Sequence, residues 1–207
     1  MSNVNPFSLS AVSVIALLAL PFTASASLII SAGNTPGGNN VLFNQVGLID
    51  NANTIQGVLP DGVIVNFTGT ESLSSPSGGQ ARVAANDGSY IDLSLTVPGH
   101  SFTQLVWNLN TFDRTPGTVQ FTLNGNQVGG AFNLGVGQNF FTILATGGSV
   151  LTSASFHTTG VELLDTRQVR IGGVSQPDSN VPEPGTFISA GLALSALGFY
   201  RRRAAKS

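Results

Sequence analysis

The chain has 207 residues, of which eight Lys or Arg and ten Asp or Glu make a charged fraction of only 9%, against about 25% in an ordinary soluble domain. An apolar content of 42% excludes a disordered charged tail, and the middle of the chain has no apolar run of the ~20 residues a membrane span needs. Between residues 27 and 180 there are four Arg, no Lys and nine acids, so the net charge is −5, a sign that repels a phosphate backbone and argues against nucleic acid as a partner. Cysteine is absent, which removes disulfides, thiolate metal sites and thiol nucleophiles together.

Taken in chain order, residues 1–26 have the form of a secretory signal peptide. Ala11–Leu20 is a ten-residue apolar block, too short to span a bilayer and of the right length for the core of an export signal. Pro21 ends it. Ala24-Ser25-Ala26 gives the small-x-small cleavage pattern, with Ser27 as the expected first residue of the mature protein. The stretch ahead of the block lacks Lys and Arg, a departure from the usual pattern.

Residues 27–173 form the expected cargo domain. Apolar residues alternate with polar ones, the period that puts successive side chains on opposite faces of a strand. Ile91, Leu93, Leu95 and Val97 share one face, and Tyr90, Asp92, Ser94 and Thr96 the other. Leu105, Trp107 and Leu109 alternate likewise in 102–110, as do Val119, Phe121 and Leu123 in 118–123. Further strands are expected at 28–31, 41–49, 54–58, 63–68, 80–85, 128–134, 139–145, 152–158, 161–164 and 168–171. Turn pairs punctuate them: Asp61-Gly62, Asp87-Gly88, Pro98-Gly99, Pro116-Gly117 and Asn124-Gly125. Asn124-Gly125 is the strongest hairpin signal, because a type I′ turn needs positive φ at both central residues. Residues 31–40 and 72–79 have loop composition. About a dozen short strands predict an all-β fold, a jelly-roll-like antiparallel β-sandwich. A β-solenoid is the alternative, without a fixed repeat to support it.

Within this domain chemistry has few places to sit. Glycoside hydrolysis needs two carboxyl groups facing each other across a cleft. Asp61 and Asp87 lie in turns, where an aspartate caps its own backbone, Asp92 lies on a polar strand face, and Glu162 and Asp165 have Arg167 and Arg170 in reach. No nucleophile elbow, zinc-protease helix or phosphate loop is present. His100 follows a Pro-Gly turn and His157 shares a polar parity with Ser153 and Ser155. No enzyme activity and no cofactor are expected. Asn86 and Asp87 are the best local candidates for one structural Ca²⁺, although a plain turn with no metal is the favoured reading of them. For a sugar-stacking surface, Tyr90 is the expected exposed aromatic, Trp107 is expected in the core, and one of Phe140 and Phe141 should face outward.

Residues 174–180 are polar and read as a linker. Beyond them Val181-Pro182-Glu183-Pro184-Gly185-Thr186 is followed by Phe187–Tyr200, fourteen residues without a charge, and then by Arg201, Arg202 and Arg203 in a basic tail 201–207. The prolines favour an extended, accessible backbone. As a helix the apolar stretch is about 21 Å long, a short transmembrane helix, and the arginines act as a stop-transfer that holds their end in the cytoplasm.

This order of parts resembles the PEP-CTERM sorting signal. The resemblance covers 181–207 and concerns sorting alone. It implies a Gram-negative, exopolysaccharide-producing bacterium and exosortase as a partner. It also implies a route through the export (Sec) machinery and an inner-membrane anchored stage before delivery to the cell surface or matrix. The cargo is then expected to be a non-catalytic structural or adhesive β-sandwich with extracellular polysaccharide as a candidate partner. The alternatives are a carbohydrate-binding module or a secreted polysaccharide hydrolase.

Overall fold

A computed structural model describes residues 25–76, 81–112 and 116–176. The expected all-β, antiparallel architecture is what it shows: twelve strands and no helix among the described residues. They are β1 (Ser27–Ala32), β2 (Asn39–Asn40), β3 (Ala52–Val58), β4 (Ile64–Ser74), β5 (Arg82–Ala85) and β6 (Asp92–Thr96), then β7 (Gln104–Thr111), β8 (Gly117–Leu123), β9 (Asn126–Leu134), β10 (Gln138–Thr146), β11 (Ser153–Thr159) and β12 (Leu163–Gly172). Every pairing between them is antiparallel, so the solenoid alternative falls. The signal-peptide residues up to Ala24 and the C-terminal helix expected at 187–200 lie outside the described residues.

One layer has the order β1-β10-β7-β12, and the other β3-β4-β6-β11-β8-β9. Short β5 pairs with β12 through Thr166↔Val83 and with β4 through Leu73↔Ala85, so it joins the layers on one side. On the other side β1 lies beside β9. The result is close to a closed barrel, which leaves little unpaired edge.

Apolar alternation builds the interior as expected. Val119, Phe121 and Leu123 of β8 are fully buried, as are Leu105, Trp107 and Leu109 of β7. Trp107 stands edge-on to Phe156 at 5.1 Å and stacks on Phe121 at 6.0 Å. Phe141 meets Phe121 at 5.0 Å, so four rings from β7, β8, β10 and β11 tie the two layers together. Such pairs add about 0.5–1.5 kcal/mol each beyond area burial.

Four expectations are corrected. Residues 41–49 form no strand: Val41 N donates to Val169 O at 3.0 Å and Leu42 pairs with Val58, so the chain crosses from one layer to the other and then turns out into solvent at Val46. Ser72–Ser74, expected in a loop, continue β4. The two strands expected at 161–164 and 168–171 are one long strand, β12, with register shifts between Leu163 and Asp165 and between Arg167 and Arg170. Tyr90, expected exposed, is buried; it sits ahead of β6 in a bridge to Leu163, and its hydroxyl reaches Thr166 Oγ1 at 2.6 Å and Val83 O at 3.2 Å.

The strand ends fall into two groups at opposite ends of the barrel. At one end lie Ser27↔Thr146, Gln104↔Gly172 and the bridges Ser101↔Ser175 and Phe102↔Leu151. At the other end Leu163 pairs with Thr111 and with Tyr90, and Phe112 N donates to Glu162 O at 2.9 Å. The chain therefore enters the fold and leaves it at the same end.

Candidate functional site

The concave feature of interest lies at the end away from Ser27 and Ser175. It is an open groove of about 610 Å³ lined by Ile91, Phe112, residues 157–161 and Glu162. Its floor follows from local folding. β11 alternates, with Ala154, Phe156 and Thr158 turned into the core and His157 and Thr159 turned out. At the strand end Thr158 Oγ1 donates to Val161 O at 2.7 Å, which folds 159–162 back over the strand. Gly117 of the neighbouring β8 packs under this turn so closely that a Cβ there would overlap Val161 Cγ1 and Thr159 O. A glycine is required at that position for steric reasons.

Three side chains give the groove its chemistry. The Phe112 ring is 54% exposed. Glu162 is held by a 2.5 Å hydrogen bond that Ser89 Oγ donates to its Oε2. The His157 ring is exposed on the outer face of β11. Sequence reasoning weighed Glu162 and His157 one at a time and passed over Phe112. What brings them together is the antiparallel return of β11 and β12 past the end of β7, a long-range pairing that no local pattern shows.

Acidic groups surround this end. The Glu71 carboxyl is raised above the usual carboxylate range, first by burial and then by repulsion from Asp87, Asp92 and Glu162, and its Oε2 is buried without a hydrogen-bond partner. Asp92 accepts from Thr70 N at 3.1 Å and from Thr70 Oγ1 at 2.9 Å. The candidate calcium residues lie here too. Asn86 Nδ2 donates to Ser72 Oγ at 2.8 Å, and the turn closes with Gly88 N on Ala85 O at 3.3 Å. Among the described residues no group of three or more His, Asp or Glu side chains is arranged to hold a metal ion.

Three further carboxylates among the described residues serve the fold. Asp165 is fully buried between Arg82 at 2.5 Å and Arg167 at 2.6 Å, and its hydrogen bonds to Arg167 hold that guanidinium above its ordinary range. Arg170 turns instead to Asn40 Oδ1 at 3.1 Å. Asp61 Oδ1 accepts from Val63 N at 3.3 Å, and Asp50 Oδ1 accepts from Ser75 N at 2.8 Å. His100 makes the expected turn contact, with Nδ1 2.9 Å from Pro98 O. Phe141 is buried and Phe140 half-buried.

Of the residues expected to direct export, Ala26 is exposed and Ser27 begins β1. Ala24, the motif 181–186 and Arg201–Arg203 lie outside the described residues. Among the described residues no helix is long and apolar enough to cross a membrane. No curated protein matches the chain. Residues 180–204 match the PEP-CTERM protein-sorting motif, which takes in Pro182-Glu183-Pro184, the uncharged stretch and the three arginines. The chain thus carries the sorting signal of an exosortase substrate, and that signal implies export, membrane-anchored sorting to the cell surface and exosortase as the processing partner.

Proposed function

We propose that the β domain is a non-catalytic structural or adhesive part of an extracellular polysaccharide matrix, exported through Sec by a Gram-negative bacterium. In this reading it is anchored in the inner membrane with its C-terminus cytoplasmic until exosortase acts. The observation that carries this reading is the use made of the carboxylates. Asp50, Asp61, Asp92 and Asp165 each hold a backbone amide, a hydroxyl or an arginine. Among the described residues the groove is lined by one carboxylate, Glu162, whereas glycoside hydrolysis asks for two facing each other. A nearly closed, fully antiparallel barrel with few free edges also suits a protein that must persist outside the cell.

The test is a deletion strain compared with its parent. Loss of the protein should lower the cohesion of the matrix under shear, and protein added back should remain with the matrix on washing. Incubating the purified protein with the strain's own polysaccharide should release no new reducing ends. Release of reducing ends would replace this reading with a secreted hydrolase.

A further inference from the structure

The groove has a composition that selects its ligand. An exposed aromatic ring offers a flat apolar platform. Beside it stand the exposed His157 imidazole, the hydroxyl of Thr159 and the Glu162 carboxylate, whose Oε2 accepts from Ser89 Oγ. A ligand that fits both parts has an apolar face and a rim of hydroxyl groups, which is the build of a pyranose ring. The groove volume of about 610 Å³ falls within the usual ~300–1,000 Å³ of a small-ligand site.

Charge narrows the class. Glu162 lines the groove, Asp87, Asp92 and Glu162 lie close enough to Glu71 to repel its charge, and residues 27–180 carry −5 overall. A uronate or sulfated chain would meet repulsion at this end. A neutral chain would not.

Placement adds a direction. β12 runs its ten residues from the groove end at Leu163 to the chain exit at Gly172, a distance of about 30 Å at ~3.3 Å per residue. The described chain begins and ends at the exit end, so the segments expected to engage the membrane leave from the end away from the groove. We infer that the groove formed by Phe112, His157, Thr159 and Glu162 is a binding site for a neutral pyranose chain, presented outward from the anchored protein. The inference rests on the matrix role proposed above and gives it a ligand class and a surface.

The experiment uses the exported protein purified from its native host. Polysaccharide from that host is separated by anion exchange into neutral and anionic fractions, and each is cast into a native gel. Retardation should occur in the neutral fraction, and Phe112→Ala should weaken it at least tenfold. His157→Ala, at an exposed position, should weaken it several-fold. Val46→Ala, on a fully exposed loop away from the groove, should change nothing. Unchanged thermal midpoints would show that the variants are folded. Equal retardation of the wild-type protein and both groove variants would overturn the inference, as would retardation by the anionic fraction alone or by neither. If Phe112→Ala protein fails to bind the neutral fraction yet stays with the matrix, the groove is a glycan site and matrix retention has another source. If wild-type protein binds neither fraction but is held in the matrix, the groove inference fails and the adhesive reading survives. Wild-type protein found free in the medium would count against the adhesive reading itself.

Discussion

Trp107 shows how much a single residue can reveal. Its parity with Leu105 and Leu109 placed it in the core, and its side chain is fully buried there. Trp107→Ala should cost about 3–5 kcal/mol, read from a chemical denaturation midpoint. The indole Nε1 has no hydrogen-bond partner, and an orphaned buried donor costs about 1–3 kcal/mol. Trp107→Phe should therefore lose much less than Trp107→Ala, because it keeps most of the ring contacts and removes the orphan. Glu71 supplies a second residue-scale prediction. Its folded carboxyl binds a proton more readily than the unfolded one, so its contribution falls as pH rises through the unfolded and then the folded value. Glu71→Gln should raise the melting temperature at neutral pH, and the gain should vanish below the ordinary glutamate range of about 4.3. A variant less stable than wild type at pH 7 would contradict this. Tyr90 marks where reading by parity stops. Strand β6 begins at Asp92, so Tyr90 lies outside its alternation. A phenol can be buried when a partner meets its hydroxyl, and here Thr166, 76 positions along the chain, does so; the enclosure pushes the Tyr90 hydroxyl far above its ordinary range.

At the scale of elements, legibility follows how local the cause is. The β8–β9 hairpin was readable because its turn needs only two residues. Asn124 at φ 50° and Gly125 at φ 78° adopt the left-handed values that a type I′ turn demands. Asn124 also binds a second loop, accepting from Thr152 N at 2.7 Å and donating to Val150 O at 2.8 Å. Gly125→Val should cost about 1–3 kcal/mol through backbone strain alone, since a Cβ there would meet open space. Gly125→Asn, which tolerates the same φ, should cost less, and urea denaturation of both variants checks the order. The stretch 41–49 has the composition of a strand without being one, because its apolar residues serve different neighbours: Val41 packs into the core, Phe43 lies 5.4 Å from Phe67, and Val46 meets solvent. β12 was split in two because Asp165-Thr166-Arg167 looks polar. Asp165 is admitted to a buried strand by Arg167 of β12 together with Arg82, which arrives from β5. Neither tertiary cause leaves a local trace.

For the whole molecule, the most informative segment was a short one at the end of the chain, read from residue types alone. The strand ends add that Ser27 and the last pairing, Ser175 with Ser101, lie at one end of the barrel. Seven residues on from Ser175 comes Pro182, a separation of at most about 25 Å of extended chain. The domain would thus stand close to the membrane while the motif is engaged. If the motif is a processing site, protein recovered outside the cell should lack Phe187–Ser207. Replacing Pro182 and Glu183 with Ala should leave export intact, since the expected signal peptide and the arginines are untouched, and should hold the protein in the inner membrane through its uncharged stretch. Deleting Arg201–Arg203 should act differently. If these charges are the stop-transfer, unprocessed chain should then pass through the bilayer. Fractionation of an exosortase-bearing host, with mass spectrometry of the C-terminal peptide, separates these outcomes. Intact Phe187–Ser207 on protein taken from the matrix would overturn the processing step and leave the segment as an anchor alone, because a chain cut near Pro182 cannot carry those residues outward.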